Sequence, residues 1–140
     1  MDSGWRIAYH GQSMSLNIIE YVLKGDDFEN WTELFTYQNG AKNHFDHSPE
    51  KMLSALKAKR EKECPGATEW TVIEQNENSI LYEWQDKPCL SWPEQRKIAR
   101  IIYGKYNWFL LHYAAKVHEL APETRTKWIK LLETATVSWE

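Results

Sequence analysis

The chain has no excess of positive charge, no long apolar run, little cysteine and none of the short motifs that mark a common chemistry. Lysine and arginine number 17 against 20 aspartates and glutamates, a formal net charge of -3. Nucleic-acid binders gain affinity by releasing counterions to a basic face, and no such balance is present. The longest apolar runs, such as Trp108 to Leu111, fall far short of the roughly 20 residues that span a bilayer as a helix. No charged start followed by an apolar stretch marks a signal peptide. The two cysteines, Cys64 and Cys89, are distant in sequence and form no Cys-x-x-Cys pair, which leaves a structural zinc site short of ligands. A Gly-x-Ser-x-Gly elbow, a Walker loop, a His-Glu-x-x-His helix and a dinucleotide fingerprint are all missing, as are internal repeats.

Aromatic residues are what the chain has in quantity: eight Trp, seven Tyr and four Phe in 140 residues. Each such ring buries roughly 150–250 Å², enough to close a core although the mean hydropathy is low at -0.67. The length predicts one domain over residues 1–140, burying roughly 68–70% of the surface its unfolded chain exposes.

Trp5, Ile7 and Tyr9 alternate as in a strand, Gly11-Gln12-Ser13 supplies a turn, and Met14, Leu16 and Ile18 alternate again. The phase then slips to Ile19, Tyr21 and Leu23, which predicts a β-bulge near Ile18-Ile19. Gly25-Asp26-Asp27 ends that strand; a short helical turn through Asp27–Trp31 and a strand through Gln38 follow. Residues 39–47 read as a loop. Ser48-Pro49-Glu50 then starts a helix to about Glu63 that buries Met52, Leu53 and Leu56. Trp70 to Gln75 and Ile80 to Gln85 form a hairpin about Glu77-Asn78, with Ile73 opposite Tyr82 and Thr71 opposite Trp84 on the core side. A second hairpin joins Arg96–Tyr103 to Tyr106–Val117 through Gly104-Lys105. Its last strand is apolar on both faces, through Phe109, Leu111 and Tyr113 and through Trp108, Leu110 and Ala114, so it belongs inside a sheet. Pro122 opens a closing helix whose buried stripe is Trp128, Ile129, Leu131, Leu132 and Ala135. The expected fold is α+β: a single, mostly antiparallel sheet of six or seven strands covered by two main helices.

Four clusters invite a chemical reading. His44, Asp46 and His47 resemble a partial metal site, but too few ligands accompany them, and they read as a polar loop before the Ser48 cap. Cys89 with His112 could be drawn as a nucleophile and its base, yet nothing in the sequence lowers the thiol pKa or places the imidazole. Asp26, Asp27, Glu29 and Glu33 crowd one segment and are read as turn caps, without the alternating acids of a calcium loop. Cys64 and Cys89 fall at the open mouth of the first hairpin, where a disulfide would clamp it. No catalytic residue, metal or cofactor is assigned. Trp92, between Ser91 and Pro93 in a loop, is difficult to bury; with Tyr106 and Trp108 it is the expected partner-binding patch, the other reading being a lid over the core.

The segments Glu20-Tyr21-Val22-Leu23, Gly25-Asp26 and Asn30-Trp31-Thr32-Glu33, with the closing His112-Tyr113-Ala114 and Trp128-Ile129, resemble small bacterial domains of the PsbP-like α/β/α-sandwich class. The resemblance spans most of the chain but rests on structural punctuation. It implies a non-enzymatic binding role, and export to the periplasm rather than the cytoplasm if a signal peptide has been removed; the leading expectation is an adaptor or interaction domain for a protein or peptide partner. The alternative is a carrier holding a small apolar ligand or lipid between sheet and helix.

Overall fold

The computed structural model describes residues 4–42 and 48–137. Seven strands form one antiparallel sheet: β1 (Trp5–Gln12), β2 (Leu16–Leu23), β3 (Glu33–Ala41), β4 (Thr68–Gln75), β5 (Ser79–Asp86), β6 (Gln95–Tyr103) and β7 (Asn107–Ala115). Helix α1 (Pro49–Glu63) follows β3, and α2 (Pro122–Glu133) follows β7. The spatial order is β1-β2-β3-β7-β6-β5-β4, so β7 pairs with β3 as well as with its hairpin partner β6. That central position accounts for its apolar residues on both faces.

Alternate residues of β5 feed two separate cores. Ile80 and Tyr82 join Leu53 of α1, Ala99, Ile101 and Leu110, with Met52, Leu56, Trp70, Trp84 and Trp108 packed around them. Leu81 joins Ile98, Tyr113 and Ala115 with Trp128 and Leu132 of α2. Trp128 is the hub of the second core. Its ring stacks on Tyr113 at 4.3 Å and on Phe35 at 5.5 Å, and Trp5 meets it edge-on at 6.0 Å.

Helix α1 begins as its sequence dictates: the Ser48 hydroxyl oxygen accepts from the Lys51 amide at 3.1 Å and Pro49 takes the first turn. The stripe of α2 is narrower than its periodicity suggests. Trp128 and Leu132 are buried, Leu131 is 49% exposed, and Ala135 lies beyond the helix end.

Several local expectations are corrected. The bulge expected near Ile18-Ile19 lies instead in β1, between Ile7 and Tyr9, and β2 pairs without interruption on both sides. The slip in apolar phase along β2 instead reflects a strand with partners on both sides and apolar residues on both faces. Met14 sits at the exposed tip of the turn. A second bulge interrupts β4 between Val72 and Glu74. Near the turn the expected pairing holds, with Gln75 opposite Ile80, but beyond Ile73 it shifts by one. Val72 then faces Tyr82 and Trp70 faces Trp84, and Ile73 passes to the α2 core. Residues 27–31 form bends rather than a helical turn, because the Asp27 carboxylate accepts from the amides of Glu29 and Asn30 and satisfies them locally. Strand β3 runs on to Ala41. The β6–β7 turn centres on Lys105-Tyr106, closed by the Gly104 amide donating to the Asn107 carbonyl at 2.8 Å.

Candidate functional site

The β5–β6 connection contains a braced turn. Cys89 and Trp92 exchange both backbone hydrogen bonds, at 3.0 and 2.9 Å, enclosing Leu90-Ser91. Leu90 takes φ 55°, left-handed space that costs an L-residue with a full side chain roughly 1–2 kcal/mol. Its side chain is 85% exposed. Two restraints hold this conformation. Cys89 lies at disulfide-bonding distance from Cys64 at the end of α1, with Cα atoms 6.3 Å apart. The Arg60 guanidinium lies 4.6 Å from the centroid of the Trp92 ring. Trp92 keeps 39% exposure, so the turn fastened to α1 carries two exposed apolar side chains, Leu90 and Trp92.

A buried ion cluster lies behind the turn. Asp86 bonds Lys97 at 2.7 Å, accepts from the Thr68 hydroxyl at 2.7 Å, and has Arg60 at 3.4 Å. Burial pushes the Asp86 carboxyl up, but Lys97, Thr68 and Arg60 outweigh it and hold the group below the usual carboxylate range. Lys97 also lies 5.1 Å over the Trp84 ring, and Trp84 stacks on Tyr82 at 5.2 Å and meets the tilted His112 ring at 4.9 Å. Among the described residues, the His112 Nε2 and the Tyr82 hydroxyl are enclosed with no hydrogen-bond partner. Burial, helped by the Lys97 charge, lowers the His112 pKa to about 3. This imidazole is neutral at ordinary pH and shut away from solvent.

The sequence-derived candidates therefore separate. Cys89 is paired with Cys64, so it is no nucleophile for His112 while that bond stands. Asp27 caps its bend, Asp26 accepts from the Thr32 amide and hydroxyl, and Glu33 accepts from the Tyr113 hydroxyl. The His44, Asp46 and His47 cluster lies outside the described residues. Among those described, no group of three His, Cys, Asp or Glu side chains could hold a metal ion, and no helix is long and apolar enough to cross a membrane. Trp92 precedes β6, whereas Tyr106 follows it at the far turn, 57% exposed. Strand β6 lies between them, so Trp92 does not share one surface with Tyr106 and Trp108. Trp108 packs against the α1 core and closes over Gly40, where an added Cβ would come within 2.6 Å of its ring.

Two features were missed in the sequence. One is Leu90, whose conformation no Gly or Asn announces. The other is a groove of about 370 Å³ beside α2, floored by Trp5, Phe35 and Leu111 and walled by Trp128, Leu131 and Leu132. Lys127 is its one charged lining residue. A scan against protein-family models and a search of the curated proteins both return no match for this chain.

Proposed function

We propose that the chain is a non-enzymatic interaction domain of the PsbP-like α/β/α-sandwich class that docks a protein or peptide partner through the Cys89–Trp92 turn. The observation that carries this reading is Leu90: a large apolar side chain, 85% exposed, kept at positive φ beside an exposed tryptophan. Backbone strain of this kind persists only where surrounding structure enforces it, and it clusters at functional positions. Trp92, with the Arg60 guanidinium over its ring, pairs two residue types that are enriched at interface hot spots. The turn is also tied down before contact, by its own backbone hydrogen bonds and by Cys64, which lowers the ordering entropy that opposes binding.

The test is affinity capture from the native cellular extract with wild-type protein and three variants. A partner held by wild type and by Met14→Asp, but lost with Leu90→Asp and Trp92→Ala, supports the turn as the docking point. A partner retained by both turn variants overturns it.

A second reading, carriage of an apolar ligand, is favoured by the groove beside α2, whose size falls within the roughly 300–1,000 Å³ of small-molecule sites.

A further inference from the structure

We infer that the groove beside α2 takes a medium-chain fatty acid, its acyl chain on the aromatic floor and its carboxylate at Lys127; this rests on the carrier reading and gives it a ligand class. Three observations converge on a ligand with one apolar tail and one negative end.

First, the groove is apolar apart from one side chain. Of the described residues that line it only Lys127 is charged, and its ammonium lies 5.7 Å from the Trp128 ring centroid. Lys127 makes no salt bridge among the described residues. Lys127 is exposed, so a carboxylate on the ligand gains a surface ion pair there that a neutral apolar occupant does not.

Second, the apolar surface is elongated and continues past the groove along the same face of the sheet. Leu111 pairs with Tyr37 on β3, and the Tyr37 ring lies 6.5 Å from Phe109, both half-buried. Phe35, on the groove floor, lies 6.1 Å from Tyr21 of β2. A flexible acyl chain can follow this strip beyond the groove.

Third, Leu131 is 49% exposed although it belongs to the groove wall. Neither the α2 core nor the turn supplies its cover. A bound acyl chain does, at roughly 0.8 kcal/mol for each CH₂ removed from water.

The experiment titrates the full chain with laurate below its micelle threshold and, separately, with dodecanol, following tryptophan fluorescence because Trp5 and Trp128 line the groove. Wild type should bind laurate with one-to-one stoichiometry and more tightly than dodecanol. Lys127→Met should weaken laurate by about two- to fivefold, the range of a solvent-exposed ion pair, and leave dodecanol unchanged. Leu131→Asp, at an exposed position that leaves the core intact, should abolish both, with its thermal melt confirming the fold. Equal binding of laurate and dodecanol, or indifference of laurate to Lys127→Met, overturns the fatty-acid assignment while leaving the carrier reading in place. Failure of both ligands to bind overturns the two together. Laurate bound unchanged by Leu131→Asp places the site elsewhere and overturns the groove.

Discussion

Trp70 and Trp84 stack across the β4–β5 pair, ring centroids 5.0 Å apart and planes 21° apart. The stack exists because Ile73 is the extra residue of a bulge, which moves Trp70 into register with Trp84. Truncating Trp84, which also meets Tyr82 and His112, should cost about 3–5 kcal/mol in urea unfolding. A double-mutant cycle with Trp70→Ala should return a coupling of about 0.5–1.5 kcal/mol beyond the area lost. Strict additivity would mean that the two rings are neighbours without interaction.

Opening the Cys64–Cys89 link should lower stability by roughly 3 kcal/mol, the loop-closure entropy of a bridge this long. Denaturant midpoints with and without reductant measure it, and alkylation of the native, unreduced protein should label neither cysteine. The same reduction should weaken partner binding through Leu90, because Cys89 anchors that turn.

Stability should fall as the solution is made acid, for two reasons of the same sign. The unfolded chain binds a proton at His112 below about pH 6.5, while the folded imidazole resists it down to about 3. Stability is therefore lost progressively over that window, by at most about 1.4 kcal/mol per pH unit for one proton. Asp86 adds to this in more acid solution: its folded pKa is lowered, so its contribution is present above the ordinary carboxylate range and disappears as pH falls through the folded value. Unfolding free energies of His112→Leu across pH 7 to 4 should run flatter than those of wild type. An unchanged slope would remove His112 as the source.

Leu90→Gly separates stability from function. Glycine accepts positive φ freely, so the variant should gain about 1 kcal/mol in thermal or chemical unfolding while losing the partner. A variant that loses stability would show that the Leu90 side chain packs rather than projects.

Much of this architecture was legible because its signals are local. Ser48-Pro49 starts α1 where the hydroxyl and the fixed φ require, and Asn76 to Ser79 closes its hairpin about Glu77-Asn78. The cysteine pairing followed from the same hairpin. What was not legible depends on choices made between distant segments. Val72 and Ile73 are both apolar and β-branched, so nothing in the sequence says which one the strand skips. The Lys87–Pro93 stretch has no glycine or asparagine to mark the left-handed residue at Leu90. The groove needs the β3–β7 pairing, which brings Phe35 opposite Tyr113 and Tyr37 opposite Leu111 from segments more than seventy residues apart. Trp92 and Tyr106 were grouped by residue type, a criterion blind to the strand that lies between them.

The two outermost strands, β1 and β4, each carry a bulge, and the five between them pair without one. An edge strand with a skipped residue cannot offer an unbroken row of amides and carbonyls to an incoming strand. Both edges of the sheet are thereby blunted against growth. A concentrated solution of this tryptophan-rich chain should resist fibril formation, with strand addition disfavoured at either edge.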